Sequence, residues 1–119
     1  MRDISLRLDV VPGMSPKIIW LSQDDSAFTI EAELFARTGT LEIENGTAAE
    51  IRGTRADGSA YSKSASLAGN IVTIRGDKAM THIPGAGKFE ITLTRNGKFL
   101  SSSNFFINVE PAPLHDDEG

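Results

Sequence analysis

The 119-residue sequence has few of the features that mark a specialised class of protein. It contains no cysteine, which excludes a disulfide framework and thiolate metal ligands. No apolar run approaches the roughly 20 residues that a membrane-spanning helix needs. The N-terminus alternates apolar and polar residues, and so it lacks the continuous apolar core of a signal peptide. We therefore expect a domain stabilised by packing alone, without a targeting or anchoring segment.

Charge gives no sign of a polyanionic partner. The formal net charge is −4, and the 12 Lys and Arg residues are scattered along the chain. Nucleic acids and anionic membranes attract clustered cations, so we expect neither of them as a partner. With 39% hydrophobic and 24% charged residues, the composition is typical of a soluble globular domain and not of a disordered chain.

Residues suited to catalysis or metal binding are few and poorly spaced. The two histidines are His82, in an irregular segment, and His115, beside acidic residues near the C-terminus. Neither a G-x-S-x-G nucleophile elbow nor a glycine-rich phosphate motif occurs. Asp24-Asp25 resembles a fragment of a calcium loop but lacks the downstream glycine and glutamate. We therefore expect no catalytic residue, no metal site and no cofactor.

The clearest structural pattern is a β-hairpin between residues 88 and 110. Two segments of alternating apolar and polar residues flank Asn96-Gly97, and these two residues suit the positive φ angles of a type I′ turn. A similar alternation runs through residues 4–10 and 28–34. The predicted buried residues of the hairpin and of the strand at 28–34 are Phe28, Ile30, Leu34, Phe89, Ile91, Leu93, Phe105, Ile107 and Val109.

Other segments predict further short strands. Leu41 and Ile43 continue the alternation of the preceding strand, and Asp57-Gly58 marks a second hairpin turn. Residues 76–87 break the pattern, and Asp77 there is suited to cap a single helical turn.

Seven to nine short strands without a long helix predict an all-β, immunoglobulin-like antiparallel β-sandwich, with a small barrel as the second possibility. We expect residues 1–110 to form the sandwich domain. The proline-punctuated, acidic residues 111–119 are expected to be a flexible tail or the start of a linker to a further C-terminal region.

Three aromatic residues raise the question of a docking surface. Trp20 lies in the continuous apolar run 18–21, which predicts a strand covered on both faces. We therefore expect Trp20 in the core, and the less favoured alternative is that it anchors an interface. Phe35 and Phe106 occupy positions where the alternation of their strands calls for a polar residue. Either a local irregularity covers these two rings, or they form a protein interface.

The order of these features resembles the N-terminal domain of the phage baseplate upper protein family, found in the tails of phages that infect Gram-positive bacteria. The resemblance spans nearly the whole chain. It is carried by QDD at 23–25, GTAAEIRGTRADG at 46–58, NIVTI at 70–74, GKFEITLTRNG at 87–97 and SSSNFFINVEPAPL at 101–114.

The resemblance implies an immunoglobulin-type sandwich that fastens a longer structural protein to the virion, without catalysis. It implies other virion proteins as partners, a homo-oligomeric full-length protein such as a trimer, and a location at the tail baseplate or a fibre base after synthesis in the host cytoplasm. Similar domains also occur at the base of head fibres, so tail and head both stay open. The alternative function is a free-standing carbohydrate- or protein-binding sandwich module of a surface protein.

Overall fold

The structure, a computed structural model, describes residues 2–13 and 15–112. It confirms the all-β class, since strands dominate and the described helix is a single turn. The elements are β1 (Arg2–Asp9), β2 (Lys17–Ser22), β3 (Phe28–Phe35), β4 (Ala48–Thr54), β5 (Ala60–Ala68), β6 (Ile71–Arg75), α1 (Lys78–Thr81), β7 (Gly85–Arg95), β8 (Lys98–Ser101) and β9 (Phe105–Glu110).

The strands form one mixed sheet that curls until it is nearly closed into a barrel. The order across the sheet is β1-β3-β6-β5-β4-β7-β9-β2, and β8 pairs with β7 beside this path. Strand β5 joins the two halves, because its first part pairs with β4 and its last residues pair with β6. Strands β1 and β2 are therefore the two ends of the sheet, and we call the gap between them the open edge.

The prediction of a purely antiparallel sheet is wrong, and the immunoglobulin-like sandwich is not confirmed. Strand β1 runs parallel to β3, and β2 runs parallel to β9. Alternation of apolar residues shows which face of a strand is buried, but it does not show which strand lies beside it. The barrel that the sequence left as the second possibility is closer to the observed architecture.

All nine residues predicted to be buried are in the core, and each is at most 5% exposed. The core also takes in inward-facing residues from the other strands and from α1. Among these are Leu8, Ile19, Leu21, Ile51, Val72, Ile74 and Met80.

The predicted turns are confirmed. Asn96 and Gly97 have φ angles of 52° and 75°, as a type I′ turn requires, and they join β7 to β8. Asp57-Gly58 lies between β4 and β5, which pair as a hairpin. The Asp77 side chain accepts a hydrogen bond from the Met80 N–H at 2.8 Å and so caps α1.

Two strand predictions need correction. Leu41 and Ile43 lie in an irregular segment, where they pack half-buried against the core without joining the sheet. The second strand of the 88–110 hairpin is broken at 102–104 into β8 and β9. At this break the Ser102 hydroxyl accepts the Ile91 N–H at 2.9 Å, so a side-chain oxygen replaces a ladder carbonyl.

The chain end was predicted to be a tail, and it lies mostly outside the described residues. Strand β9 ends at Glu110, and the Ala112 N–H donates to Gln23 Oε1 at 3.2 Å. Residues 113–119 of the predicted tail are not among those that the structure describes.

A close approach of two strands requires glycine at position 53 of β4. Gly53 pairs with Phe89 of β7, and a Cβ atom there would meet the Lys88 carbonyl oxygen and would lie 2.7 Å from Phe89 Cδ1. Backbone atoms cannot move aside as a flexible side chain does, so a larger residue would force β4 and β7 apart.

We predict that Gly53→Ala lowers the free energy of unfolding in urea by about 1–3 kcal/mol or more, the range for overpacking a tight site. The matched control is Gly39→Ala, since a Cβ at Gly39 has no neighbour within 4 Å. Equal stability of the two variants would show that β4 and β7 do not approach as closely as described.

Candidate docking surface

Strand β2 presents apolar residues to solvent. Ile19 and Leu21 point into the core, so the two-residue repeat turns Ile18 and Trp20 outward, where they are 55% and 57% exposed. The prediction that Trp20 is a core residue is therefore wrong. The run 18–21 is continuously apolar because both faces of the strand are apolar, but the described part of the chain covers only one of them.

Phe106 extends this surface onto the neighbouring strand. In the parallel pairing of β2 with β9, Ile18 lies beside Phe106 and Trp20 lies beside Asn108. Phe105 and Ile107 point into the core, so Phe106 lies on the outer face, where it is half-buried. We call Ile18, Trp20 and Phe106 the β2–β9 patch.

Two cations border the β2–β9 patch. Lys88 of β7 pairs with Phe106, and Lys17 begins β2 immediately before Ile18. Neither lysine forms an ion pair within residues 2–13 and 15–112. Glu110 lies exposed at the other end of the same face, beside Ser22, so the positive charge is confined to the end of the β2–β9 patch at Lys17 and Lys88.

Phe35 lies on the other side of the open edge. Its half-buried ring is on the outer face of β3, where the Arg7 guanidinium stacks 4.3 Å from the ring centroid. Phe35, Arg7 and Lys17 line one cleft of about 220 Å³, together with Ser5 and Leu6. The two phenylalanines singled out in the sequence therefore flank the open edge from opposite sides, and their role in docking stays a prediction.

Asp9 holds one end of the open edge together. Its fully buried carboxylate accepts hydrogen bonds from Arg37 Nη1 at 2.7 Å and from the Val11 N–H at 2.9 Å. The Asp9 carbonyl accepts the Ser103 N–H at 2.7 Å and ties β1 to the segment before β9. Burial alone would raise the pKa of Asp9, but these hydrogen bonds and the Arg37 charge outweigh it and hold the pKa below its ordinary value.

A second, polar cleft of about 620 Å³ lies over β4, β5 and β7. Arg52 and Glu90 form an ion pair in it, with 3.1 Å between Nε and Oε2. Lys88 and Asn104 also line the cleft, so it offers both hydrogen-bond donors and acceptors. Its aromatic lining residues, Tyr61 and Phe89, are 8% and 2% exposed, and they present little ring surface for a sugar to stack on.

Two further pairs of polar side chains lie elsewhere in the described chain. His82 Nδ1 lies 2.9 Å from Asp24 Oδ1 at the exposed surface. The Tyr61 hydroxyl donates to Asp77 Oδ2 at 2.9 Å, and burial together with this carboxylate raises the pKa of Tyr61. Within residues 2–13 and 15–112, no three His, Asp or Glu side chains converge as metal ligands do. No helix in the same ranges has the length and apolar character to cross a membrane.

One comparison with known proteins finds a domain of similar fold. No protein-family model and no curated protein matches the sequence. The structure superposes on the N-terminal domain of phage TP901-1 ORF48 with a TM-score of 0.72 and 12% sequence identity. The match covers 92% of this chain and 99% of that domain. This chain therefore has the fold of a phage N-terminal domain, in agreement with the phage resemblance read from its sequence.

We predict that Asp9→Asn lowers the free energy of unfolding at pH 7. The folded-state pKa of Asp9 lies below its ordinary value of 3.8, so the ionised carboxylate stabilises the fold above that pH. This stabilisation is lost as the pH falls through the lowered pKa. The free energy of unfolding should be measured by urea titration from pH 7 to pH 2.5. The difference in this free energy between Asp9→Asn and the wild type should become smaller below pH 3.8.

The matched control is Asp3→Asn, which removes an exposed carboxylate from the same strand. At pH 7 it should unfold at the same urea concentration as the wild type. If the free energies of unfolding of Asp9→Asn and the wild type differed by the same amount at every pH down to 2.5, the stabilising role of the Asp9 charge would be contradicted.

Proposed function

We propose that this chain is an attachment domain of a phage structural protein and holds a longer protein on the virion by contacts with other virion proteins. The β2–β9 patch is the observation that carries the proposal. The shared fold with a phage N-terminal domain adds support, and so does the order of motifs that resembles the baseplate upper protein family. The patch would supply what such a domain needs, a surface able to hold a partner firmly.

The energetics of the patch favour a protein partner. Covering a large apolar side chain contributes roughly 1.5–3 kcal/mol. Trp20 is more than half exposed on the terminal strand of the sheet, two residues along from Ile18. A tryptophan near other apolar side chains is typical of the residues that dominate interface energies. Ile18 and Phe106 are its neighbours on the same face, so the three side chains can be covered together.

The resemblance to the baseplate upper protein family also supplies the expected oligomeric state, location and partners. The full-length protein is a homo-oligomer such as a trimer, it is made in the host cytoplasm, and it resides at the tail baseplate or at a fibre base. Its partners are virion proteins and do not include nucleic acid or membrane, because the chain is acidic and its cations are dispersed. It has no catalytic role and needs no cofactor.

The proposal predicts that Phe106→Ser and Phe35→Ser leave the domain folded but reduce incorporation of the full-length protein into particles. Both rings are only half-buried and lie outside the core, so their loss should cost little stability. The measurement is the amount of protein that sediments with purified particles assembled in the presence of each variant, beside a thermal melt of the same variant.

Phe99→Ser is the matched control, since Phe99 is an exposed phenylalanine on β8, outside the β2–β9 patch. Its incorporation should equal that of the wild type. The proposal would be abandoned if Phe106→Ser were folded and fully incorporated. If both Phe35→Ser and Phe106→Ser unfolded, the two rings would belong to the core and the docking surface would lie elsewhere.

The polar cleft supports the second candidate, a carbohydrate-binding module. A glycan array probed with the wild-type chain separates the two functions, because the attachment domain should give no specific hit. A hit that is lost in Arg52→Ala and kept in Phe106→Ser would assign the binding to the polar cleft and favour the second candidate.

A further inference from the structure

We propose that the virion partner contributes an extended segment that pairs with the free edge of β2 as an additional strand. This inference rests on the proposed function and specifies how the attachment is made. The segment is expected to alternate apolar and polar residues and to carry an acidic side chain near Lys17. Four features of the open edge carry the argument.

The first feature is the direction of the backbone groups of β2. The Gln23 N–H donates to the Glu110 carbonyl of β9 at 2.8 Å. In a parallel ladder, alternate residues direct both backbone groups to the same neighbour, so the odd-numbered residues of β2 bond to β9. Ile18 and Trp20 therefore direct their N–H and C=O groups toward the open edge, where no described residue bonds to them.

The second feature is that β1 is unpaired on the facing side. The N–H groups of Arg2 and Val10 donate to β3 or its flanking residue, so the odd-numbered residues of β1 face the open edge. The Asp9 carbonyl accepts a hydrogen bond from the Ser103 N–H. The backbone groups of Ser5 and Arg7 that face the open edge have no backbone partner in the described chain. Two free strand edges thus border the same cleft.

The third feature is that β2 lacks the usual protection of an edge strand. Native proteins shield edges with short strands, bulges, prolines or charged side chains. Strand β8 is protected by its length, since it has four residues and stops at the break before β9, although it also exposes Phe99 and Leu100. Strand β2 has six residues and turns Ile18 and Trp20 outward. An edge left open in this way is the kind to which partner strands add.

The fourth feature is charge, which decides between possible occupants. Lys17 begins β2 at the open edge and forms no ion pair within the described residues, so it favours a segment that carries a carboxylate beside it. Strand β2 of a second copy would bring another Lys17 and no acidic residue. The occupant that fits is therefore an acidic, apolar-alternating segment of a different virion protein.

The test compares Trp20→Pro with Trp20→Ala in the full-length protein. Both variants lose the indole ring, and only proline also loses the N–H that faces the open edge. That N–H takes no part in the β2–β9 ladder, so Trp20→Pro should still fold. The readout is incorporation into particles assembled with each variant, alongside urea unfolding of each purified protein.

The expected result is that Trp20→Ala weakens incorporation and Trp20→Pro weakens it about fivefold further, the typical factor for one lost hydrogen bond. Equal incorporation of the two folded variants would overturn strand addition and leave the proposed function intact. Absence of the wild-type protein from particles would instead reject the proposed function itself.

Two further measurements complete the test. If Trp20→Pro does not fold, Ser22→Pro against Ser22→Ala makes the same comparison, because the Ser22 N–H also points to the open edge and its side chain is exposed. Sedimentation of the purified protein tests whether a second copy of this chain, and not a different protein, occupies the open edge. An oligomer that Trp20→Pro dissociates would assign the edge to a second copy and overturn the partner proposed here, whereas an oligomeric state that Trp20→Pro leaves unchanged supports it.

Discussion

The architecture depends on one constraint, which is the short connection between two consecutive strands at opposite ends of the sheet. Strands β1 and β2 are separated by seven residues, 10–16, yet the path from β1 to β2 across the sheet crosses seven strand spacings. A flat sheet would separate them by about 33 Å. The extended chain from Asp9 to Lys17 spans at most about 28 Å. The sheet must therefore curl, and the curl brings its two ends together.

The curl explains the tight packing inside the barrel. Phe89 lies under Gly53 of the neighbouring strand, and its ring is 6.1 Å from Tyr61 and 6.2 Å from Phe105, measured between ring centroids. At the open edge the same curl brings Asp9 to Ser103, so the end of β1 is tied to the break before β9. Buried aromatic contacts and one buried carboxylate thus fasten a sheet whose terminal strands do not pair with each other.

The curl also places the candidate docking surface. It sets Phe35 and Phe106, which lie on strands far apart in the sheet order, on the two sides of one open edge. Trp20 and Ile18 lie between them on the terminal strand, with Lys17 at its start. The free backbone groups at this edge favour an extended partner, Ile18 and Trp20 favour apolar side chains on it, and Lys17 favours a carboxylate beside it.

The sequence by itself determined the local structure and the inward faces of the strands. The turn at Asn96-Gly97, the cap at Asp77 and nine core residues follow from dihedral preferences and two-residue alternation, which act over a few neighbouring residues. Phe35 and Phe106 were identified as anomalies for the same reason. Only the tertiary structure decided the parallel neighbours of β1 and β2, the curl of the sheet and the exposure of Trp20. An apolar run has the same sequence in a covered strand and in an edge strand, and only the arrangement of distant strands determines which of its faces is covered.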